Sequence, residues 1–111
     1  MERREKPAWR YRKRVEVRYG PDEPSQTGYS GNISSTGIMI RTTRVFAPGT
    51  TLTLELKLPG GTVRARGRVR WAREGSVTLL STGRVGMGVT LIDPPAELLE
   101  LIPESLRGTG R

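Results

Sequence analysis

The sequence contains no cysteine and no histidine. The first absence excludes disulfides, thiolate nucleophiles and cysteine-based metal sites. The second removes the usual imidazole base and the commonest metal ligand. Catalysis would therefore fall to carboxylates, and Asp22, Glu23, Glu55, Glu74 and Asp93 form no recognisable dyad spacing. An enzyme is the weakest reading. Aromatic residues are only 5% of the chain, few for a platform that stacks bases. No apolar run approaches eighteen residues and the amino terminus is charged, so neither a membrane span nor a secretion signal is expected. A cytoplasmic location follows as an expectation.

Cations are abundant. The 111 residues carry 19 Lys and Arg against 11 Asp and Glu, a formal charge of +8. That balance favours anionic partners such as a nucleotide, a nucleic acid or an acidic surface. Most of these cations are arginine, the residue suited to forked contacts with phosphate or guanine edges and to stacking on a base. A genome that prefers arginine codons would give the same bias. The length allows one domain with one modest core.

Hydrophobic alternation outlines the elements. Val15, Val17 and Tyr19 alternate with Glu16 and Arg18, which predicts a strand over 14–19. The stretch 20–28 is dense in turn formers and reads as a loop. A short segment near 28–33 leads to a strand near 36–43 with Ile38 and Ile40 on one side. Leu52, Leu54, Leu56 and Leu58 recur at every second position, then Pro59-Gly60-Gly61 turns the chain. The rule continues with Val63, Ala65, Gly67, Val69 and Trp71 on one face and Arg64, Arg66, Arg68 and Arg70 on the other. These two runs predict a hairpin. Residues 74–85 read as a loop in which Val77-Thr78-Leu79-Leu80 could extend a strand.

Val85–Leu91 reads as the last strand, its glycines pointing to a bend or a close backbone approach. Met39 and Met87 read as space fillers. Asp93-Pro94-Pro95 then has the form of a helix start, with Asp93 as the cap. Leu98, Leu99 and Ile102 form one stripe before Pro103 limits the helix. Residues 1–9 read as a mobile basic tail and 104–111 as a fraying end. The fold expected is all-β: five or six antiparallel strands in a small barrel, closed because an open sheet would leave its apolar face wet, with a C-terminal helix placed to cap one opening.

Two stretches organise the chain. The basic run Arg10-Tyr11-Arg12-Lys13-Arg14 ends where the first predicted strand begins, and the polar turn Asn32-Ile33-Ser34-Ser35-Thr36-Gly37 opens directly into Ile38-Met39-Ile40. If their strands share a sheet, guanidinium groups, a carboxamide, a hydroxyl and a bare glycine backbone face one ligand. That set suits an anionic, purine-containing molecule. Taken singly, Asn32 and Ser34 could merely build a turn, Gly37 could serve turn geometry, and the basic run could be a solvated tail. Trp71 reads as core by alternation, although a strand end can twist away from it.

With its motifs in this order, the chain resembles the PilZ domain family. That family has RxxxR just before its first strand and [D/N]xSxxG entering a later one. Arg10 to Arg14 fits the first and Asn32 to Gly37 the second, and the likeness covers roughly residues 10–103. It extends to the Leu-rich hairpin, Trp71, the Gly-Met-Gly-Val strand and the closing helix. The resemblance implies an all-β fold, a small six-stranded antiparallel barrel with a C-terminal capping helix. It also implies a non-enzymatic receptor for the bacterial second messenger cyclic di-GMP, often bound as an intercalated dimer, with no resident cofactor or metal. Binding would draw the arginine segment over the ligand and signal to a separate, unknown protein partner.

Carried onto this chain, Arg10 and Arg14 would contact guanine and phosphate, while Asn32, Ser34 and Gly37 would line the other side. Lys13 and Trp71 are further candidates, Trp71 because some members stack an aromatic on an outer guanine. Asn32 stands where the family more often has aspartate. Two other readings compete. One is a basic nucleic-acid-binding barrel using the arginine face of 62–73, against which only Trp9 and Tyr11 interleave with the basic run. The other is a ligand-free, PilZ-like interaction adaptor.

Overall fold

A computed structural model describes residues 10–82 and 84–100. Seven strands run β1 Arg10–Tyr11, β2 Val15–Gly20, β3 Gln26–Ser34, β4 Gly37–Arg41, β5 Thr51–Leu58, β6 Gly61–Arg73 and β7 Gly86–Ile92. All pairings are antiparallel, in the order β3-β2-β5-β6-β7-β4, and β3 pairs with β4 to close a six-stranded barrel. β1 adds to β3 beyond the end of β2, with Arg10 opposite Ser34 and Tyr11 opposite Ile33. Closure leaves no open edge in this ring, which a twisted sheet with one apolar face requires.

The period-two pattern sets the inside of the barrel. Leu52, Leu54 and Leu56 of β5 are almost fully buried, and the Val63, Ala65 and Val69 side chains of β6 join them. Each buried aliphatic side chain of this size contributes on the order of 1.5–3 kcal/mol. Leu58 pairs with Gly61, so Pro59 and Gly60 form a two-residue connection. The facing positions of β5 carry Thr51, Thr53, Glu55 and Lys57, and Glu55 holds Arg64 at 2.9 Å across the hairpin.

Alternation breaks twice, each time at a register shift. Between Val69 and Trp71 the pairing advances two residues on β6 for one on β7, from Val89 to Gly88. The extra residue, Arg70, makes a β-bulge, which reverses the facing of the residues after it. Trp71 is therefore 38% exposed and outside the core, where strict alternation would have buried it. The second shift lies in β3, between Tyr29 paired with Arg41 and Asn32 paired with Met39. It leaves Tyr29 exposed, Ser30 buried, Asn32 exposed again and Ile33 in the core.

Residues Val77–Thr82 form a 3₁₀ turn with Val77 and Leu79 exposed, so this stretch adds no strand. Helix α1, Ala96–Glu100, sends Leu98 into the barrel core. Its start differs from the expected cap. Asp93 turns the chain with φ 45°, and Leu98 N–H donates to Pro95 O at 3.0 Å. No helix N–H donates to the Asp93 carboxylate among the described residues. The Leu99 side chain, Ile102, Pro103 and the tails 1–9 and 104–111 lie outside the described part of the chain. No helix of the described residues is long and apolar enough to cross a membrane.

A buried polar cluster ties β2 to the segment after β4. Tyr19 O–H donates to the Arg44 carbonyl at 2.6 Å and accepts from Thr42 Oγ1 at 2.6 Å, while Arg44 N–H donates to Thr42 Oγ1 at 3.0 Å. The assignment follows because a carbonyl can only accept. Burial pushes the Tyr19 phenol above its ordinary value, against the opposing pulls of Thr42 and Arg44.

Candidate functional site

Registers alone bring the site together. Trp71 pairs with Gly88, Gly88 with Met39, and Met39 with Asn32, a row running across β6, β7, β4 and β3. Beside it, Thr90 pairs with Gly37, and Arg10 pairs with Ser34. Outward-facing side chains of paired strands stand within contact of one another. The result is a shallow pocket of about 390 Å³ between Arg10, Asn32, Ser34 and Gly37 on one side and Arg70, Trp71 and Thr90 on the other. Its volume lies within the range usual for small-molecule sites.

The turn between β3 and β4 is built by Ser34. Its Oγ accepts from Gly37 N–H at 3.1 Å and Thr36 N–H at 3.3 Å, and it is within 3.3 Å of the Gly37 carbonyl as donor. The Thr36 carbonyl in turn accepts from Leu91 N–H at 2.9 Å, pinning the turn to β7. Gly37 sits so close to β7 that a β-carbon would lie 2.8 Å from the Val89 carbonyl oxygen. Local turn-building and lining the pocket are thus compatible roles for the same residues.

Arg10 reaches the site because β1 is anchored. Tyr11 is 4% exposed and belongs to the core, which fixes the strand that carries its neighbour. Arg10 NH1 donates to Asn32 Oδ1 at 3.3 Å. Across the pocket, the indole of Trp71 lies over Gly88, where a β-carbon would collide with Nε1 and Cε2. The missing side chain lets the ring come up against β7. Arg73 Cζ sits 5.5 Å from that ring's centre, and Arg70 donates to Thr90 Oγ1 at 3.2 Å.

The electrostatics are one-sided. The lining holds two guanidinium groups, Arg10 and Arg70, and no carboxylate. An aromatic face, a carboxamide, a threonine hydroxyl and the apolar Met39 and Ile38 complete it. Such a surface can neutralise phosphate, accept a planar ring and hydrogen-bond its edge. Among the described residues, no group of three or more acidic side chains is placed to hold a metal.

Arg10, Asn32, Ser34, Gly37 and Trp71 come together at this pocket. Arg14 does not line it: its guanidinium stacks on Tyr29, Cζ 3.9 Å from the ring centre. Lys13 is exposed and outside the lining. Met39, Arg70 and Thr90 do not stand out in the sequence as site residues. Met39 reads as filler and Arg70 as one more solvated arginine, since only the register and the bulge turn them to the pocket. Arg64, Arg66 and Arg68 remain on the exposed face.

A family model described as PilZ domain matches residues 2–107 of the chain. No curated protein matches the sequence. Among solved structures, the chain is similar to the Bacillus subtilis inhibitor of motility MotI/DgrA, with 20% identity and a TM-score of 0.66. The alignment covers 91% of this chain and 48% of that one, so the chain spans about half the length of this structural relative. At that identity the likeness concerns the barrel fold.

Proposed function

We propose that this chain, which belongs to the PilZ domain family, is a receptor for cyclic di-GMP that acts by binding and signals to a separate protein partner. The observation that carries the reading is the composition of one pocket. Two arginines, an indole and an asparagine carboxamide surround it and no carboxylate intrudes. A cyclic dinucleotide offers the complementary groups: phosphates for Arg10 and Arg70, guanine faces for Trp71, and a hydrogen-bonding edge for Asn32. A guanidinium can also fork onto guanine O6 and N7.

Arg14 and Lys13 complete the proposed site from outside the pocket. They sit on the three residues between β1 and β2, a connection short enough to fold over a ligand seated between Arg10 and Trp71. Ser34 and Gly37 fix the turn that presents Asn32. With two stacking surfaces, Trp71 and the arginine arm, the site accommodates an intercalated ligand dimer. The unfilled requirement is a partner that reads the rearranged arm.

Thermal unfolding with cyclic di-GMP, GMP and inorganic polyphosphate tests the reading. A ligand present at a hundred times its Kd stabilises the folded state by about 2.7 kcal/mol. Cyclic di-GMP alone is expected to raise the midpoint at micromolar concentrations. Equal shifts with polyphosphate would identify a general anion site, and no shift with any of the three would remove the ligand assignment.

A further inference from the structure

Arg14 is the one arginine of the RxxxR motif that lies away from the pocket, and the reason is a specific contact. Tyr29 is exposed on β3 at the register shift, between its cross-strand pairs Glu16 and Arg41. The Arg14 guanidinium covers its ring at 3.9 Å, well inside the range at which the ring quadrupole attracts a cation. Tyr29 itself does not line the pocket. It stands three residues before Asn32 on the same strand, roughly 10 Å along β3. Glu16, the nearest acid by register, is engaged by Lys57 at 3.7 Å.

We propose that Tyr29 is a parking site for Arg14, a latch that holds this guanidinium off the ligand and thereby sets the affinity of the pocket. The inference rests on the cyclic di-GMP reading and extends it to a residue outside both motifs. In the unliganded chain Arg14 rests on Tyr29, and ligand binding must break that contact before Arg14 can close over the pocket. The two positions compete for one side chain. The apparent Kd is then the intrinsic Kd divided by the fraction of molecules in which Arg14 is free. An exposed cation–π contact of ordinary strength lowers that fraction by about two- to fivefold. A leucine at position 29 keeps a β-strand-compatible apolar side chain and removes the ring. A phenylalanine keeps the ring and removes only the hydroxyl.

Two measurements test the latch on the full chain. In calorimetric titrations with cyclic di-GMP, Tyr29→Leu is expected to bind about two- to fivefold more tightly than the unsubstituted protein, and Tyr29→Phe within a factor of about 1.5 of it. In proton NMR of the unliganded protein, the Arg14 δ-methylene resonances should be shifted upfield by the ring in the unsubstituted chain and in Tyr29→Phe. The shift should be absent in Tyr29→Leu and should disappear on addition of ligand. Unchanged or weaker binding by a folded Tyr29→Leu chain overturns the latch while leaving the ligand assignment standing. Random-coil Arg14 shifts in the unliganded protein overturn it too. Failure of the unsubstituted chain to bind cyclic di-GMP removes the assignment and the latch together.

Discussion

The indole of Trp71 lies across the backbone of its pair Gly88, in space that a β-carbon would otherwise occupy. The clash would involve the far end of a side chain, which can rotate away, so the barrel should tolerate Gly88→Ala while the ring cannot stay. That substitution is predicted to leave the thermal midpoint within a few degrees of the original and to weaken cyclic di-GMP binding by about fivefold or more. Loss of one base–aromatic stack is worth about 1–3 kcal/mol. Tryptophan emission in a Trp9→Phe background would report the displaced indole directly.

Arg10 and Asn32 meet at 3.3 Å across the β1–β3 pairing. Replacing Arg10 with alanine removes a guanidinium without touching the core, because Tyr11 carries the packing of β1. Binding should fall on the order of tenfold to a hundredfold, the worth of one bidentate purine contact, with the circular dichroism spectrum unchanged.

Asn32→Asp should act in the opposite direction. A carboxylate accepts the N1–H and N2–H edge of guanine more strongly than a carboxamide does. It also turns the contact with Arg10 into an ion pair. Titration should show tighter binding, by about threefold or more. Equal affinity would mean that Asn32 does not meet the base edge.

Ser34 and Gly37 belong to the turn before they belong to any ligand. Ser34→Ala leaves the amides of Thr36 and Gly37 without their acceptor and should cost about 1–2 kcal/mol. For a domain of this size that lowers the midpoint by about 5–15 °C. Binding loss in this variant should track the loss of stability.

Alkaline stability should depend on Tyr19. Its phenol is raised above 10.0 by burial, so the neutral form is the one the fold favours. The associated stability is fully present below pH 10 and is lost as pH rises through the folded-state value. Resistance to urea should therefore fall above about pH 10, and Tyr19→Phe should flatten that dependence. The same variant strands the Arg44 carbonyl and should lose about 1–3 kcal/mol at neutral pH.

Much of the barrel was legible because its strands obey period two wherever the pairing is regular. The leucines of β5 and the valines of β6 announce themselves, and the Pro-Gly turn fixes their hairpin. The outward facing of Trp71 was not legible from alternation, since a bulge at Arg70 reverses it and nothing local to the chain marks that bulge; only the family resemblance made this residue a site candidate. The same holds for Met39 and Thr90, which become pocket residues only when β4 and β7 pair in one register. The Asn32–Gly37 motif could be read because its turn chemistry is local: Ser34 bonds the two amides that come after it. Arg14 on Tyr29 is a tertiary contact that bare spacing cannot reveal.

The proposed function requires a guanine-bearing dianion seated between Arg10 and Trp71. Isothermal titration of cyclic di-GMP into the unsubstituted protein and into Arg10→Ala and Trp71→Ala tests it most directly. Saturable binding by the first, weakened at least tenfold in each variant with the fold retained, is the expected result. Absence of binding, or affinity unaffected by either substitution, would contradict it.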